Sequence, residues 1–178
     1  IVLLVLYNSE PRLKSISVGF LILLIGEVIR IISVSYAGGI TRTRNVGAPS
    51  LCCAGPYAHT RNPLYIGNML IYLGVVIISG AENIAFLLSI VFLFFIFQYT
   101  MIISLEEQTL QNLFPEQYQN YKKNVPRIFP RLSPWENSDI RKRSSLFSTL
   151  KTEKRTLQNI FLIVFLILTK NYWINFIF

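Results

Sequence analysis

Histidine occurs once in these 178 residues, and cysteine twice, at the adjacent positions Cys52 and Cys53. Without a CxxC pair or a second imidazole, a structural zinc site has no ligand set, and no metal is expected. Acidic side chains are scarce too: nine against seventeen Lys and Arg, for a net charge of +8. No Gly-rich strand–helix turn is present, so a dinucleotide-binding Rossmann unit lacks its signature. Apolar/polar alternation is missing, which argues against half-buried strands. No internal repeat is visible.

What the chain does have is long apolar runs. Hydrophobic residues make up 52% of it, and the mean hydropathy is +0.47, too high for an ordinary soluble domain. The runs at 15–37, 64–80, 84–103 and 157–178 approach or exceed the roughly 20 residues that cross a bilayer as helix. In lipid every backbone polar group must be satisfied internally, so runs without alternation read as helices. Residues 1–7 are apolar but short, and read as the end of a truncated first span rather than a signal peptide. The expectation is an all-α polytopic membrane bundle of about five transmembrane helices. Three parts are expected: a membrane core over 1–134, a basic cytoplasmic or interfacial segment over 135–156, and a C-terminal transmembrane helix over 157–178.

The positive charge is placed unevenly. Arg42, Arg44 and Arg61 fall between the second and third runs, and ten more Lys and Arg lie from Lys122 to Arg155. Both stretches share one side if each run crosses once, and the positive-inside rule makes that side the cytoplasm. A basic stripe for nucleic acid would need interleaved aromatics, which are missing, so no nucleic-acid partner is expected. Membrane lipids are the expected neighbours. Within 135–155, Leu146, Phe147 and Leu150 with the basic run 141–143 fit either an interfacial segment on anionic lipid or an unstructured linker. Cys52 and Cys53 stay reduced on the cytoplasmic side.

Two places carry chemistry. In GPYAHTRNPLYIG, residues 55–67, Asn62 suits a helix N-cap and Pro63 the first helical position. That reading explains Arg61 as a positive-inside residue and nothing more. The same atoms also form an anion receptor, with free N–H groups beside a guanidinium and the hydroxyls of Tyr57 and Tyr65 nearby. The second place is Glu106-Glu107, where the 84–103 run ends. Only three residues, 81–83, join that run to the one before it, so the two runs form an antiparallel hairpin. Adjacent helical residues point about 100° apart, so at most one of the two carboxylates faces its interior. Further along, Pro115 can open a short helix on which Tyr118 and Tyr121 share a face, and Arg127 and Arg131 flank Pro130. Glu27 and Arg30 sit at i, i+3 inside the second run, where a mutual ion pair and the wall of a polar site are both open. His59 reads as an inert loop residue. Gly67 and Gly74 lie seven apart and would let another helix approach closely.

Taken together, GPYAHTRNPLYIGN followed by LEEQTLQNLFPEQYQNYKKNVPRIFP resembles the isoprenylcysteine carboxyl methyltransferase family of integral membrane proteins, and more distantly the phospholipid methyltransferases. GEVIRIISVSYAGGI is similar to that family's second span, so the resemblance runs from about residue 26 to 130. It implies an enzyme that uses S-adenosyl-L-methionine in a cytoplasm-facing pocket, without a Rossmann domain. A lipid-like or isoprenylated small-molecule acceptor would enter from the bilayer. By motif position, Arg61 and Glu107 would be the catalytic residues. Tyr57, Asn62, Pro63, Tyr65, Gly67, Glu106, Tyr118, Tyr121 and Arg127 would line the cofactor site. Asn62 stands where the best-known eukaryotic members have His, which removes a titrating imidazole but keeps a hydrogen-bonding amide. The resemblance further implies a prokaryotic inner-membrane location, and leaves methylation of a carboxylate or of a phospholipid amine open. Two readings from other classes compete: a non-catalytic membrane scaffold, and a membrane reductase of sterol-reductase type.

Overall fold

The computed structural model describes residues 1–38, 50–136 and 139–170. Arg42 and Arg44, and the last eight residues of the 157–178 run, lie outside the described residues. The architecture is all-α, as the composition predicts. In chain order the helices are α1 (Val2–Tyr7), α2 (Leu13–Ala37), α3 (Pro63–Ser79), α4 (Ile84–Leu113), α5 (Pro115–Asn124) and α6 (Leu146–Leu168), with a 3₁₀ turn at Gly55–Ala58. Among the described residues, α2 and α4 are long and apolar enough to cross a membrane, and α3 is a shorter apolar helix of 17 residues.

Helix boundaries follow local chemistry. α4 stops at Leu113 because a proline two residues on disfavours helical backbone at Phe114, and Pro115 then opens α5 at a position whose missing N–H costs no bond. α3 likewise opens on Pro63, with the Asn62 carbonyl accepting from the Ile66 amide. α6 begins at Leu146 and runs unbroken to Leu168, so the stretch that composition marks off at 156/157 is the middle of one helix.

The chain forms two compact units. The first comprises residues 1–27, 68–96 and 153–178. Its core includes Leu23, Ile71, Val75, Val76, Ile78, Leu87, Val91 and Ile167. Gly74 makes the expected close approach: a Cβ there would sit 2.7 Å from the Leu23 backbone nitrogen and 2.8 Å from the Gly19 carbonyl. Small residues on both sides let the α2 and α3 backbones touch, which in a bilayer substitutes dispersion contacts for a missing hydrophobic drive. Tyr72 stacks on Phe95 with ring centroids 3.9 Å apart.

The second unit comprises residues 28–67 and 97–152. Its core is Cys53, Tyr118, Tyr121 and Val125, with Leu51, Leu110, Phe114 and Trp135 packed against it. α5 is polar on average, and its two buried residues are the tyrosines that share one face at i, i+3. All the residues singled out above for chemistry between Tyr57 and Arg127 belong to this unit.

Candidate functional site

The described part of the loop before α3 turns at Gly55. Gly55 adopts φ +58°, and a Cβ there would fall 2.6 Å from the Tyr36 ring. The turn it starts delivers Tyr57, whose carbonyl accepts from the Tyr121 hydroxyl at 2.7 Å. Thr60 is buried, and its hydroxyl is shared between the carbonyls of Arg127 and Ile128. The Asn62 amide donates to the Arg127 carbonyl at 2.9 Å, and the Arg61 N–H donates to the Pro126 carbonyl. Asn62 therefore begins α3 while its side chain ties the loop to the segment after α5.

Arg61 is enclosed by acceptors. Its Nε and Nη2 both donate to Glu107 Oε1, at 3.1 and 3.0 Å, and its Nη1 donates to the carbonyls of Val125 at 2.6 Å and Lys122 at 3.3 Å. Its side chain is 8% exposed. The Arg127 guanidinium also approaches Glu107 Oε1, at 3.5 Å, and donates from Nη2 to Ser104 at 2.8 Å. That side chain is 36% exposed, which makes it the more accessible of the two cations. One carboxylate thus sits between two guanidiniums.

Glu106 points elsewhere, as neighbouring helical residues must. Its Oε1 accepts from the Tyr65 hydroxyl at 2.7 Å, and the Tyr65 ring packs on Tyr99 with centroids 4.9 Å apart. Both members of the acidic pair are engaged, each by a partner from a different direction. They lie well inside α4, which continues to Leu113, so neither faces the unfavourable helix C-terminus.

Tyr118 is 2% exposed, and its hydroxyl lies beside Arg61 and Glu107. Burial raises its pKa, the Glu107 charge adds to the shift, and Arg61 opposes it. Burial likewise raises the pKa of Tyr57 and Tyr121. Each shift favours the protonated phenol, and Tyr121 uses its proton to donate to the Tyr57 carbonyl. Pro63 and Gly67 are buried at the start of α3.

His59 is a pin: its Nδ1 lies 2.9 Å from the Arg131 carbonyl, and its own carbonyl accepts the Arg131 N–H. Sequence reasoning missed several participants. The carbonyls of Lys122 and Val125 that hold Arg61 leave no trace in side-chain identity. Asp139 accepts the Cys53 N–H at 2.8 Å and pairs with Arg141 at 3.8 Å, a long-range link with no motif. Glu153 is fully buried in α6, although its neighbours in sequence are polar. A cavity of about 300 Å³ beside α5 is lined by Leu51, Cys53, Gln117, Asn120, Trp135 and Arg141, among others, and by none of the proposed site residues. Among the described residues no three His, Cys, Asp or Glu side chains come together.

The sequence family described as phospholipid methyltransferase matches residues 15–117. The nickel-cobalt-cadmium resistance protein NccN of Alcaligenes xylosoxydans xylosoxydans is 31% identical over 118 residues, 66% of this chain and 51% of that protein. The cobalt-zinc-cadmium resistance protein CzcN of Cupriavidus metallidurans is 33% identical over 84 residues, 47% of this chain and 37% of that protein. The chain thus spans about half the length of the first and less of the second. No solved structure matches it. The family match covers the loop before α3, all of α3 and α4 and the acidic pair, and on that ground the chain belongs to the phospholipid methyltransferase family, a family of membrane methyltransferases.

Proposed function

We propose that the second unit binds S-adenosyl-L-methionine and directs its methyl group to a hydrophobic acceptor at the membrane surface. The observation that carries this reading is Glu107 held between Arg61 and Arg127, with the Tyr65–Glu106 pair on the neighbouring residue. The donor set fits the cofactor. Arg127, partly exposed, offers a guanidinium to an amino-acid carboxylate. Glu106 offers a carboxylate to an ammonium or to ribose hydroxyls, and Tyr118 sets a buried hydroxyl beside the Arg61–Glu107 pair. Arg61 we assign to positioning, because its donors already clamp Glu107 to the end of α5.

When bound, S-adenosyl-L-methionine supplies a methyl group already activated by its sulfonium. The protein then contributes alignment and exclusion of water. An isoprenylcysteine-like carboxylate acceptor needs no general base. A phospholipid amine, which the family description favours, must lose a proton, and in that case Glu106 takes the proton instead of holding the cofactor. The relatives' names concern resistance to metal ions. In this chain two guanidiniums crowd the carboxylate, an arrangement that suits an organic anion better than a metal cation. We place the protein in a prokaryotic inner membrane, as the resemblance implies, and turn this unit to the cytoplasm on the strength of the positive-inside charge pattern.

Isothermal titration of S-adenosylhomocysteine tests the cofactor. Wild-type protein in nanodiscs is expected to bind, and Glu107→Gln to bind about tenfold more weakly or worse, because a charge-assisted network loses its centre. Absence of wild-type binding in both detergent and nanodiscs would overturn the reading in favour of a scaffold.

A further inference from the structure

The segment after α5 presents apolar side chains to the outside on a rigid frame. Phe129 is 85% exposed, Leu132 wholly exposed and Ile128 nearly half exposed. A loose linker would show the same exposure without fixed partners, but here the backbone is tied down at 126, 127, 128, 131 and 135. Arg61 N–H reaches the Pro126 carbonyl, Thr60 and Asn62 hold the carbonyls of Arg127 and Ile128, Arg131 exchanges bonds with His59, and Trp135 N–H reaches the Ala58 carbonyl. Pro126, Pro130 and Pro134 stiffen it further. The Arg131 side chain folds back onto the Asn124 carbonyl, while Phe129 and Leu132 stay exposed.

Its height relative to the apolar helix is fixed as well. Arg127 bonds Ser104, the residue that follows the last residue of the apolar 84–103 run of α4. Leu105 and Met101, on either side of that point, are themselves exposed. Basic residues rim the tip: Lys122 and Lys123 are exposed on α5, with Arg127 and Arg131 on the segment itself, against Glu116 and Glu136 as the nearby exposed acids. Exposed aromatic and aliphatic groups with a basic rim, level with the end of a membrane-length helix, match an interfacial anchor.

We propose that residues 128–132 form a wedge that inserts into the bilayer interface and prefers a leaflet carrying anionic lipid. The proposal rests on the bilayer reading of α4 and is independent of methyl transfer. It deepens the functional reading, because the wedge and the Arg127 guanidinium belong to one strap, which holds the site at headgroup level.

The test places an environment-sensitive fluorophore (NBD) on Phe129→Cys and, separately, on Leu132→Cys, with Gln119→Cys on the exposed side of α5 as control. The labelled proteins are reconstituted in nanodiscs of brominated phosphatidylcholine, with or without phosphatidylglycerol. The proposal expects labels at 129 and 132 to be quenched about twofold more than at 119, with the excess growing when phosphatidylglycerol is present. It is overturned if neither label exceeds the control, or if the excess ignores phosphatidylglycerol. A blue-shifted emission without quenching would also overturn it, since a protein partner or second copy would then cover the tip. Titration of S-adenosylhomocysteine into the same samples reports separately on the cofactor site.

Discussion

At the residue scale the structure separates two arginines by what their donors are free to do. Arg61 has its donors committed to Glu107 and two carbonyls, and Arg127 retains a partly exposed face. Removing one partner of so enclosed a cluster leaves the others desolvated, and breaking a buried pair costs about 3–5 kcal/mol. The cysteines make a complementary case. Burial pushes the Cys53 thiol up to about 12 from 9.0, with the neighbouring Cys52 and Asp139 adding to the shift. Cys52 is raised too, chiefly by burial. Because the folded state holds these protons more tightly than the unfolded chain, their contribution to stability is complete below pH 9 and fades as pH rises toward 12. Iodoacetamide at pH 8 should therefore leave both thiols unmodified in the folded protein and alkylate both after denaturation, as intact mass will report. Rapid native modification of Cys53 would mean that the core of Tyr118, Tyr121 and Val125 does not close over it.

At the element scale, the 3₁₀ turn at Gly55–Ala58 and the segment 125–135 act as one strap around the start of α3. Gly55 is its weak point, with a left-handed φ and the Tyr36 ring where a Cβ would go. Gly55→Ala is expected to cost about 1–3 kcal/mol from backbone strain alone, with more from the clash. Thermal unfolding in detergent should fall accordingly, and an unchanged midpoint would show that the turn tolerates another conformation. Much at this scale was legible beforehand. Pro115 marked the α4–α5 break, Tyr118 and Tyr121 were seen to share a face, and Gly74 marked the close helix crossing, because proline geometry and helical periodicity are local properties. The onset of α6 at Leu146 was not legible: Leu146, Phe147 and Leu150 are spaced for a helix, but the surrounding charges suited a linker equally well. His59 and Asp139 were opaque for another reason, since each acts through a backbone group far away in sequence.

At the scale of the whole molecule, the apolar runs announced a membrane bundle and the two motif blocks announced the family. The way the blocks meet was not written in either one. Glu107 had to find Arg61 across 46 residues, and Arg127 had to return to Ser104 across 23, before the site existed. Both closures depend on α3 and α4 being antiparallel neighbours, which the three-residue connection at 81–83 forces. We propose that this cluster serves methyl transfer to a lipid-like acceptor. The decisive experiment incubates membranes with methyl-labelled S-adenosyl-L-methionine and wild-type or Glu107→Gln protein, then counts label in the organic extract. Label is expected with wild type and none above background with Glu107→Gln; release as methanol on mild alkali would mark a carboxylate ester, and retention an N-methyl group. An extract from wild-type membranes no more labelled than one from membranes without the protein would contradict it.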